Sequence, residues 1–226
     1  MDVIDAIDAR FSCIAFFDKP VAESVVRDIL SRAARAPSGG NLQPWRVYSL
    51  AGATLAELKA LIKPRTGELP HGEGTAHNIY PPNLTEPYRT RRYLVGELLY
   101  DSLKIPRSDR TARINQLARN FEFFGAPVGL FFSIDRIMGP IQWTDLGMYI
   151  HAVMLIAKNL GLDTCAQGAW GLWHHTVASF LELPADQILV CGMALGYANP
   201  DADINLWRAP RAAIDQFAVF LGFEKA

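Results

Sequence analysis

The apolar residues of this chain fall into short runs interrupted by glycine and proline, and this spacing limits the fold more than any other feature. Half of the 226 residues are apolar, yet the longest apolar run, residues 123–132, contains two glycines and a proline. A membrane helix needs about 20 consecutive apolar residues, and the N-terminus lacks the basic start of a signal peptide. We therefore expect a soluble, cytoplasmic protein with no membrane contact, built from buried strands and amphipathic helices.

Charge and cysteine content argue against several kinds of partner. The formal net charge is −1, which gives no general attraction to nucleic acid. Eight basic and four acidic residues lie between positions 86 and 119, but a solvated helical surface explains this excess more simply than a polyanion site. Cys13, Cys165 and Cys191 lie far apart without metal-ligand spacing, so we expect reduced thiols and no metal.

The apolar periodicity predicts an α+β fold in which helices surround a small central sheet. A first short helix follows Asp2, and further helices are predicted over residues 21–36, 54–62, 86–104, 109–122, 142–160, 173–181 and 209–221. Strands are predicted over residues 45–50, 127–134, 163–167 and 187–195. In the first strand, alternation places Trp45, Val47 and Ser49 inward. No internal repeat is present, and we expect a single domain over residues 1–226.

Residues 64–87 differ from the rest of the chain because they contain five prolines and three glycines. A loop of this length inside a compact domain is usually functional or mobile. We interpret it as a surface excursion and a candidate lid over the substrate, since neither side of it completes its own set of strands.

The common nucleophile and metal motifs are absent. The sequence has no HExxH, GxSxG or P-loop pattern, although a cysteine hydrolase using Cys191 or Cys165 remains an alternative. The remaining candidates suit a phosphate-bearing cofactor. Arg10 and Ser12 offer a guanidinium and a hydroxyl, Arg208 and Arg211 a second cationic pair, and residues 36–45 combine glycine backbone with polar side chains.

In this order along the chain, these segments resemble the FMN-dependent nitroreductase family. The most specific is Ala36–Trp45 (APSGGNLQPW), which matches the family at fixed spacing. The other matching segments are Arg10–Ser12, Ser31–Tyr48, Phe123–Phe132, Trp143–Trp170 and Val190–Asn205. Tyr80–Ile105 is similar to the nitrobenzoate-reductase-like subgroup.

The resemblance implies a nitroreductase-like fold, mainly antiparallel in its sheet, and an intertwined homodimer that buries part of the apolar content at its interface. Each of two FMN sites would be built from both subunits. The residues that match positions around FMN are Arg10, Phe11, Ser12, Pro37, Ser38, Gly39, Asn41, Gln167, Gly168, Ala169, Arg208 and Arg211. Ile14 departs from the family, in which many relatives have a second basic residue, and His151 stands where relatives often have glutamine.

The implied activity is an NAD(P)H oxidoreductase with ping-pong kinetics. NADH or NADPH would reduce the flavin, and a nitroaromatic or quinone would then accept two electrons at the same place. No catalytic side chain is expected, because the flavin and solvent can supply the protons. A small aromatic substrate could lie in a slot formed by Trp45, Tyr80, Tyr88 and Phe124, although core packing is the alternative for most of them.

Two other functions remain open on the sequence. The acceptor could be an enone or a free flavin, or the chain could be an oxidative flavin dehydrogenase of the same superfamily. A non-enzymatic flavin-binding dimer would share the same cofactor residues.

Overall fold

The computed structural model describes residues 1–69 and 71–223, and its regular elements alternate helices with single strands. The helices are α1 (Val3–Ala9), α2 (Glu23–Ala33), α3 (Gly52–Glu68), α4 (Tyr88–Ser102), α5 (Arg110–Ala118), α6 (Pro140–Asn159) and α7 (His174–Phe180). The strands are β1 (Arg46–Ala51), β2 (Val128–Asp135), β3 (Asp163–Gln167) and β4 (Gln187–Gly196).

The four strands form one antiparallel sheet in the order β1-β2-β4-β3. The central strand β2 is buried from Val128 to Ile134, which explains why its sequence is almost continuously apolar: helices cover both of its faces. Phe132 packs towards α2 and α6, whereas Phe131 packs towards α3 and α7. The predicted α+β class with a small antiparallel sheet is confirmed.

Two hydrophobic cores lie on the two faces of the sheet. The core between the sheet, α2 and α6 includes Val26, Ile29, Leu130, Phe132, Leu146, Tyr149 and Val153. The core on the α3 and α7 face includes Leu55, Leu58, Ile62, Phe121, Phe123, Phe131, Trp170 and Trp173. The long helix α6 thus supports the sheet along one face, and the aromatic core fixes the segment after β3 on the other.

Trp170 lies against β4 because position 192 has no side chain. A Cβ atom built on Gly192 would lie 2.3 Å from Cδ1 of Trp170, well inside van der Waals contact. The Trp170 ring also packs against Phe123, with ring centroids 4.7 Å apart. These contacts hold the turn that follows β3, which contains Gly168 and Ala169.

The predicted terminal helix over residues 209–221 is wrong. This segment contains only a short 3-10 turn, Ile214–Gln216, and Phe217, Val219 and Leu221 are 70%, 84% and 82% exposed. Helices in proteins are stabilised mainly by burying an apolar face, and the chain gives this segment no surface of its own to cover. The segment is therefore a largely exposed arm, which we call the C-terminal arm.

The predicted pattern of β1 is also partly wrong. Trp45 and Val47 pack on the α2 and α6 side as expected, but Ser49 is exposed and Leu50 is buried. β1 is an edge strand with its hydrophobic residues divided between both faces, and the Ser49 hydroxyl stays in water because burial without a partner would be unfavourable.

The proline-rich segment begins later than predicted and is attached to the core. Helix α3 continues through Pro64 to Glu68, while position 70 lies outside the described residues. The N–H of Glu73 donates to the Leu172 carbonyl at 2.7 Å, and the Glu73 carboxylate accepts from Arg65 Nη2 at 2.8 Å and from the Thr176 N–H at 3.0 Å. The start of the excursion is thereby fixed to the N-terminal turn of α7.

Candidate functional site

Residues from the two ends of the chain converge on one cavity of about 580 Å³, which we call the terminal cavity. It is lined by five of the predicted cofactor residues, namely Arg10, Phe11, Ser12, Arg208 and Arg211. Val95 and Leu99 of α4 line it from another side, together with Ile14 and His151. The structure therefore brings together the whole predicted phosphate-binding group, with Arg208 in the same cavity as the apolar Ile14.

Asn205 joins the two chain ends that form this cavity. Its side chain is 3% exposed, its Oδ1 accepts from the Ile14 N–H at 2.9 Å, and its Nδ2 donates to the carbonyls of Ala15 at 2.8 Å and Asn199 at 2.9 Å. The Cys13 N–H donates to the Thr164 carbonyl at 3.0 Å and fixes the same segment to β3. Sequence reasoning missed Asn205, although it ends the last segment that matches the family.

Among the described residues, three arginines (Arg10, Arg208 and Arg211) and a single carboxylate (Asp8) line the terminal cavity, so positive charge is in excess. Burial, followed by the nearby charge of Arg211, lowers the pKa of Arg10 below its usual value. Among the described residues, neither guanidinium forms an ion pair with a carboxylate. Like charges close to one another are unfavourable unless an anion joins them, so the electrostatics favour a bound anionic group.

The hydrogen-bonding groups around these arginines also suit a phosphate. Arg208 lies 4.1 Å from the centre of the Phe11 ring and donates to the Asn205 carbonyl at 2.7 Å, which fixes the direction of its guanidinium. The indole N–H of Trp207 is buried and has no hydrogen-bond partner within residues 1–69 and 71–223. Several N–H donors, a hydroxyl on Ser12 and an apolar wall match the phosphate and ribityl parts of FMN, so the residues present fit this cofactor.

The loop of Pro37, Ser38, Gly39 and Asn41 does not line the terminal cavity. The Ser38 hydroxyl accepts from the Gln43 N–H at 3.0 Å, and the Gly39 N–H donates to Oδ2 of Asp145 at 3.1 Å. Gly40 and Asn41 both have left-handed backbone, with φ of 59° and 57°, a conformation that glycine and asparagine tolerate best. The loop is thus held rigidly, with Pro37, Gly39 and Asn41 exposed at the surface.

The buried Asp145 is the second residue that sequence reasoning missed. It is 3% exposed and lies in the first half of α6, within the matched segment Trp143–Trp170. Its polar character inside an otherwise apolar helix face was the available signal.

In the turn after β3, the side chain of Gln167 is buried and hydrogen-bonded within the protein. Nε2 of Gln167 donates to the Asn120 carbonyl at 2.7 Å, and its Oε1 accepts from Nε1 of Trp170 at 3.4 Å. Both ends of this side chain are therefore used inside the protein, leaving only backbone groups of Gln167, Gly168 and Ala169 for a ligand. Ile79 lies over Gly168, 3.3 Å from the position that a Cβ atom there would occupy.

The four predicted substrate aromatics do not form one slot within a single chain. Trp45 stacks on Tyr149 with ring centroids 4.7 Å apart, and Phe124 is 5% exposed in the aromatic core. Tyr80 and Tyr88 are 53% and 58% exposed. Phe124 belongs to the core and Trp45 is half-buried against Tyr149, whereas the two tyrosines are exposed, with Arg92 over the ring of Tyr80.

The cysteines are poor nucleophiles in this environment. Burial raises the pKa of Cys165 and of Cys191 to about 12, and the same effect raises the pKa of Cys13 to about 12. Protonated thiols at neutral pH do not support a cysteine hydrolase. Separately, no helix in residues 1–69 and 71–223 has the length and apolar character needed to cross a membrane.

Comparisons with known proteins agree with this geometry. The profile of the nitroreductase family matches residues 7–197. The chain is 36% identical to a 4-nitrobenzoate reductase of Pseudomonas putida over 99% of this chain and 98% of that protein. It is 37% identical to a nitrobenzene nitroreductase of Ectopseudomonas oleovorans over 96% of both.

Solved structures give the same result. An FMN and NADPH-dependent nitroreductase, NfnB from sphigopyxis sp. strain HMH, superposes with a TM-score of 0.96 at 41% identity over 99% of this chain and 100% of that one. The FMN-dependent nitroreductase NfnB from Mycobacterium smegmatis, solved in complex with NADPH, gives a TM-score of 0.89 at 25% identity over 96% and 97% of the two chains.

Proposed function

Because the chain belongs to the nitroreductase family, we propose that it is an FMN-dependent enzyme that uses NADPH or NADH to reduce nitroaromatic compounds. The observation that carries this proposal is the terminal cavity, where Arg10, Arg208 and Arg211 outnumber the one lining carboxylate, Asp8, and form no ion pair among the described residues. The relatives named for nitrobenzoate and nitrobenzene reduction, similar over nearly the whole chain, support the choice of a nitro compound as electron acceptor.

The side chains of the terminal cavity bind and orient the cofactor rather than perform the reaction. Arg10 and Arg211 would neutralise the phosphate with charge-assisted hydrogen bonds, and the Ser12 hydroxyl would bond to the phosphate or the ribityl chain. Bound FMN supplies two-electron transfer between the reductant and the nitro group. Val95 and Leu99 give α4 an apolar face on the cavity, which keeps water from one side of it.

A second subunit would complete the site, and this supports the proposal of a homodimer. Apolar side chains exposed in a single chain include Val3, Ile4, Phe217, Val219 and Leu221. Large exposed apolar surfaces mark interfaces, and obligate dimer interfaces resemble a core cut in half. The C-terminal arm and the exposed loop at Pro37–Asn41 would then contact a second copy, where that loop can lie against a flavin.

The proposed substrate is a small aromatic compound held beside the exposed rings of Tyr80 and Tyr88. Quinones share the planar shape and accept two electrons, so they are the second class of acceptor. An enone reductase or a non-enzymatic flavin protein would keep the same terminal cavity, and acceptor assays separate these functions.

The test starts from protein loaded with FMN and measures the oxidation of NADPH with 4-nitrobenzoate, nitrobenzene, a quinone and an enone. We expect turnover with the nitroaromatics and formation of the hydroxylamine product. Turnover with the enone but not with the nitroaromatics would contradict the proposed function, and so would the absence of turnover with all four acceptors.

The cofactor site is tested separately by FMN affinity. Arg10→Ala and Arg211→Ala each remove a charge-assisted contact worth about 1.5–3 kcal/mol, so each dissociation constant should rise roughly 10-fold to 100-fold. Arg27→Ala is the matched control, because Arg27 is 77% exposed on α2 and pairs only with Glu23. Unchanged FMN affinity in both cavity variants would show that the phosphate binds elsewhere.

A further inference from the structure

A second cavity, lined by arginines, borders the face of α4 next to the one that lines the terminal cavity. We call it the arginine cavity; its volume is about 490 Å³, and its arginines are Arg89, Arg92, Arg107 and Arg113. They come from α4, from the loop after it and from α5. The basic excess between positions 86 and 119 is therefore gathered partly around one concave surface, rather than spread only over a solvated helix.

Only half of this positive charge is balanced. Arg113 lies 3.3 Å from Glu97 and Arg89 lies 2.8 Å from Glu86. Arg92 and Arg107 have no carboxylate within ion-pair distance among residues 1–69 and 71–223. The cavity thus retains about two positive charges, which is the charge that a dianion would neutralise.

Tyrosine rings hold these guanidinium groups in place. Arg92 lies 4.0 Å from the ring centre of Tyr80, and Arg107 donates to the Tyr93 hydroxyl at 3.1 Å. Stacking on a ring uses the face of a guanidinium and leaves the N–H groups at its edge available. Arginines fixed in this way lose less side-chain entropy when an anion binds.

Residues of helix α4 line both cavities. Val95 and Leu99 face the terminal cavity, whereas Arg92, Gly96 and Tyr100 face the arginine cavity. Each set repeats at a spacing of four residues, and one residue corresponds to about 100° around a helix, so the two cavities border adjacent faces of α4.

We propose that the arginine cavity binds the 2′-phosphate of NADPH and makes this chain prefer NADPH to NADH; this inference rests on the proposed function. A phosphate monoester carries about −1.5 to −2 charges at pH 7, which matches the two unbalanced arginines better than a single carboxylate does. Arginine also binds phosphate oxygens in a bidentate manner. The nicotinamide and the adenosine phosphate lie at opposite ends of the dinucleotide, so the phosphate must bind away from the flavin.

The test compares the two reductants in the holoenzyme at low ionic strength. Arg92→Gln and Arg107→Gln, singly and together, should lower the ratio of kcat/KM for NADPH to kcat/KM for NADH about tenfold or more, as the loss of a charge-assisted hydrogen bond predicts. Arg27→Gln, on the distant helix α2, should leave the ratio within about twofold of the parent. A ratio that stays within about twofold in the double variant overturns the proposal.

Two further measurements separate this proposal from its alternatives. Adenosine 2′,5′-bisphosphate should bind the parent protein more tightly than adenosine 5′-monophosphate in calorimetry, and the double variant should lose this difference. Equal binding of the two nucleotides overturns the proposal even where turnover is absent, so its failure is distinguishable from failure of the proposed function. A different result would show that the arginines bind a substrate carboxylate. In that case the double variant would have a higher KM for 4-nitrobenzoate, whereas its KM for nitrobenzene and its reductant ratio would equal those of the parent.

Discussion

Replacing Asn205 with alanine should weaken both the fold and FMN binding, because this side chain joins the two chain ends that build the terminal cavity. The change leaves the buried N–H of Ile14 without a partner, which costs about 1–3 kcal/mol. The carbonyl of Ala15 keeps the N–H of Asn199 as a donor at 2.9 Å, so the two lost Nδ2 bonds cost only about 0.5–1.5 kcal/mol each. The expected loss in the free energy of unfolding is about 3 kcal/mol.

Thermal unfolding at fixed protein and FMN concentration measures this effect. For a domain of this size, each kcal/mol lowers Tm by about 2–4 °C, so Asn205→Ala should unfold roughly 6–12 °C below the parent. Asn83→Ala is the control, because Asn83 is exposed in the loop before α4. FMN affinity, measured well below both unfolding transitions, should fall about tenfold or more, since Arg10 and Ser12 are no longer held opposite Arg208.

Two results would refute this reasoning. A Tm within about 1 °C of the parent would show that the hydrogen bonds of Asn205 do not hold the chain ends together. Unchanged FMN affinity in a clearly destabilised variant would show that the terminal cavity does not bind the cofactor.

Three further outcomes are expected. Gly192→Ala places a Cβ atom 2.3 Å from Cδ1 of Trp170 and should lower the free energy of unfolding, measured by chemical denaturation, by about 1–3 kcal/mol. It should affect FMN affinity less than Asn205→Ala does, and a variant as stable as the parent would contradict the packing described for β4. Cys191→Ala should retain nitroreductase activity, because burial raises the pKa of this thiol to about 12; loss of turnover in a folded variant would restore a role for the thiol. Burial alone would raise the pKa of Glu73, but hydrogen bonds from Thr176 and Arg65 and the charge of Arg65 hold this pKa below its usual value. The parent should therefore be more stable than Glu73→Gln by about 1–3 kcal/mol at pH 7, and this advantage should be lost as pH falls through the lowered pKa, below about 4.5. A stability difference that does not change with pH would contradict this.

The sheet was predictable from the sequence because its strands carry strong local signals. Residues 127–134 and 187–195 are short apolar runs between turn residues, and the observed strands β2 and β4 differ from them by at most one residue at each end. Helix α1 follows Asp2, whose side chain accepts from the Asp5 N–H at 2.9 Å. In each case the same residues that define the pattern also make the stabilising contacts.

The C-terminal arm and the start of the excursion were not predictable in this way. Residues 209–221 carry helix-like apolar spacing, but their side chains have no surface within the chain to cover, so the pattern does not produce a helix. Helix α3 passes through Pro64 because Leu55, Leu58 and Ile62 are buried on the same helix, which outweighs the one backbone hydrogen bond that proline removes. Tertiary packing decides both cases.

That Arg10, Ser12, Arg208 and Arg211 line one cavity was predictable only through the family resemblance. An isolated arginine carries no information on its partner, and Arg10 and Arg211 come together through the long-range contacts of Asn205. Asp145, which positions the loop at Gly39, was not found because its role depends on a backbone contact that spans 106 positions.

The most direct test of the account is an anaerobic titration of the FMN-loaded protein, followed by visible spectroscopy. One equivalent of NADPH should bleach the flavin bands, and one equivalent of 4-nitrobenzoate should then restore them, because the nitro group accepts the two electrons that the reduced flavin holds. In Arg10→Ala, FMN should instead be lost on gel filtration before the titration. A parent protein that binds no FMN, or whose bleached bands do not respond to any nitroaromatic, would contradict the central claim that the terminal cavity serves a nitroreductase.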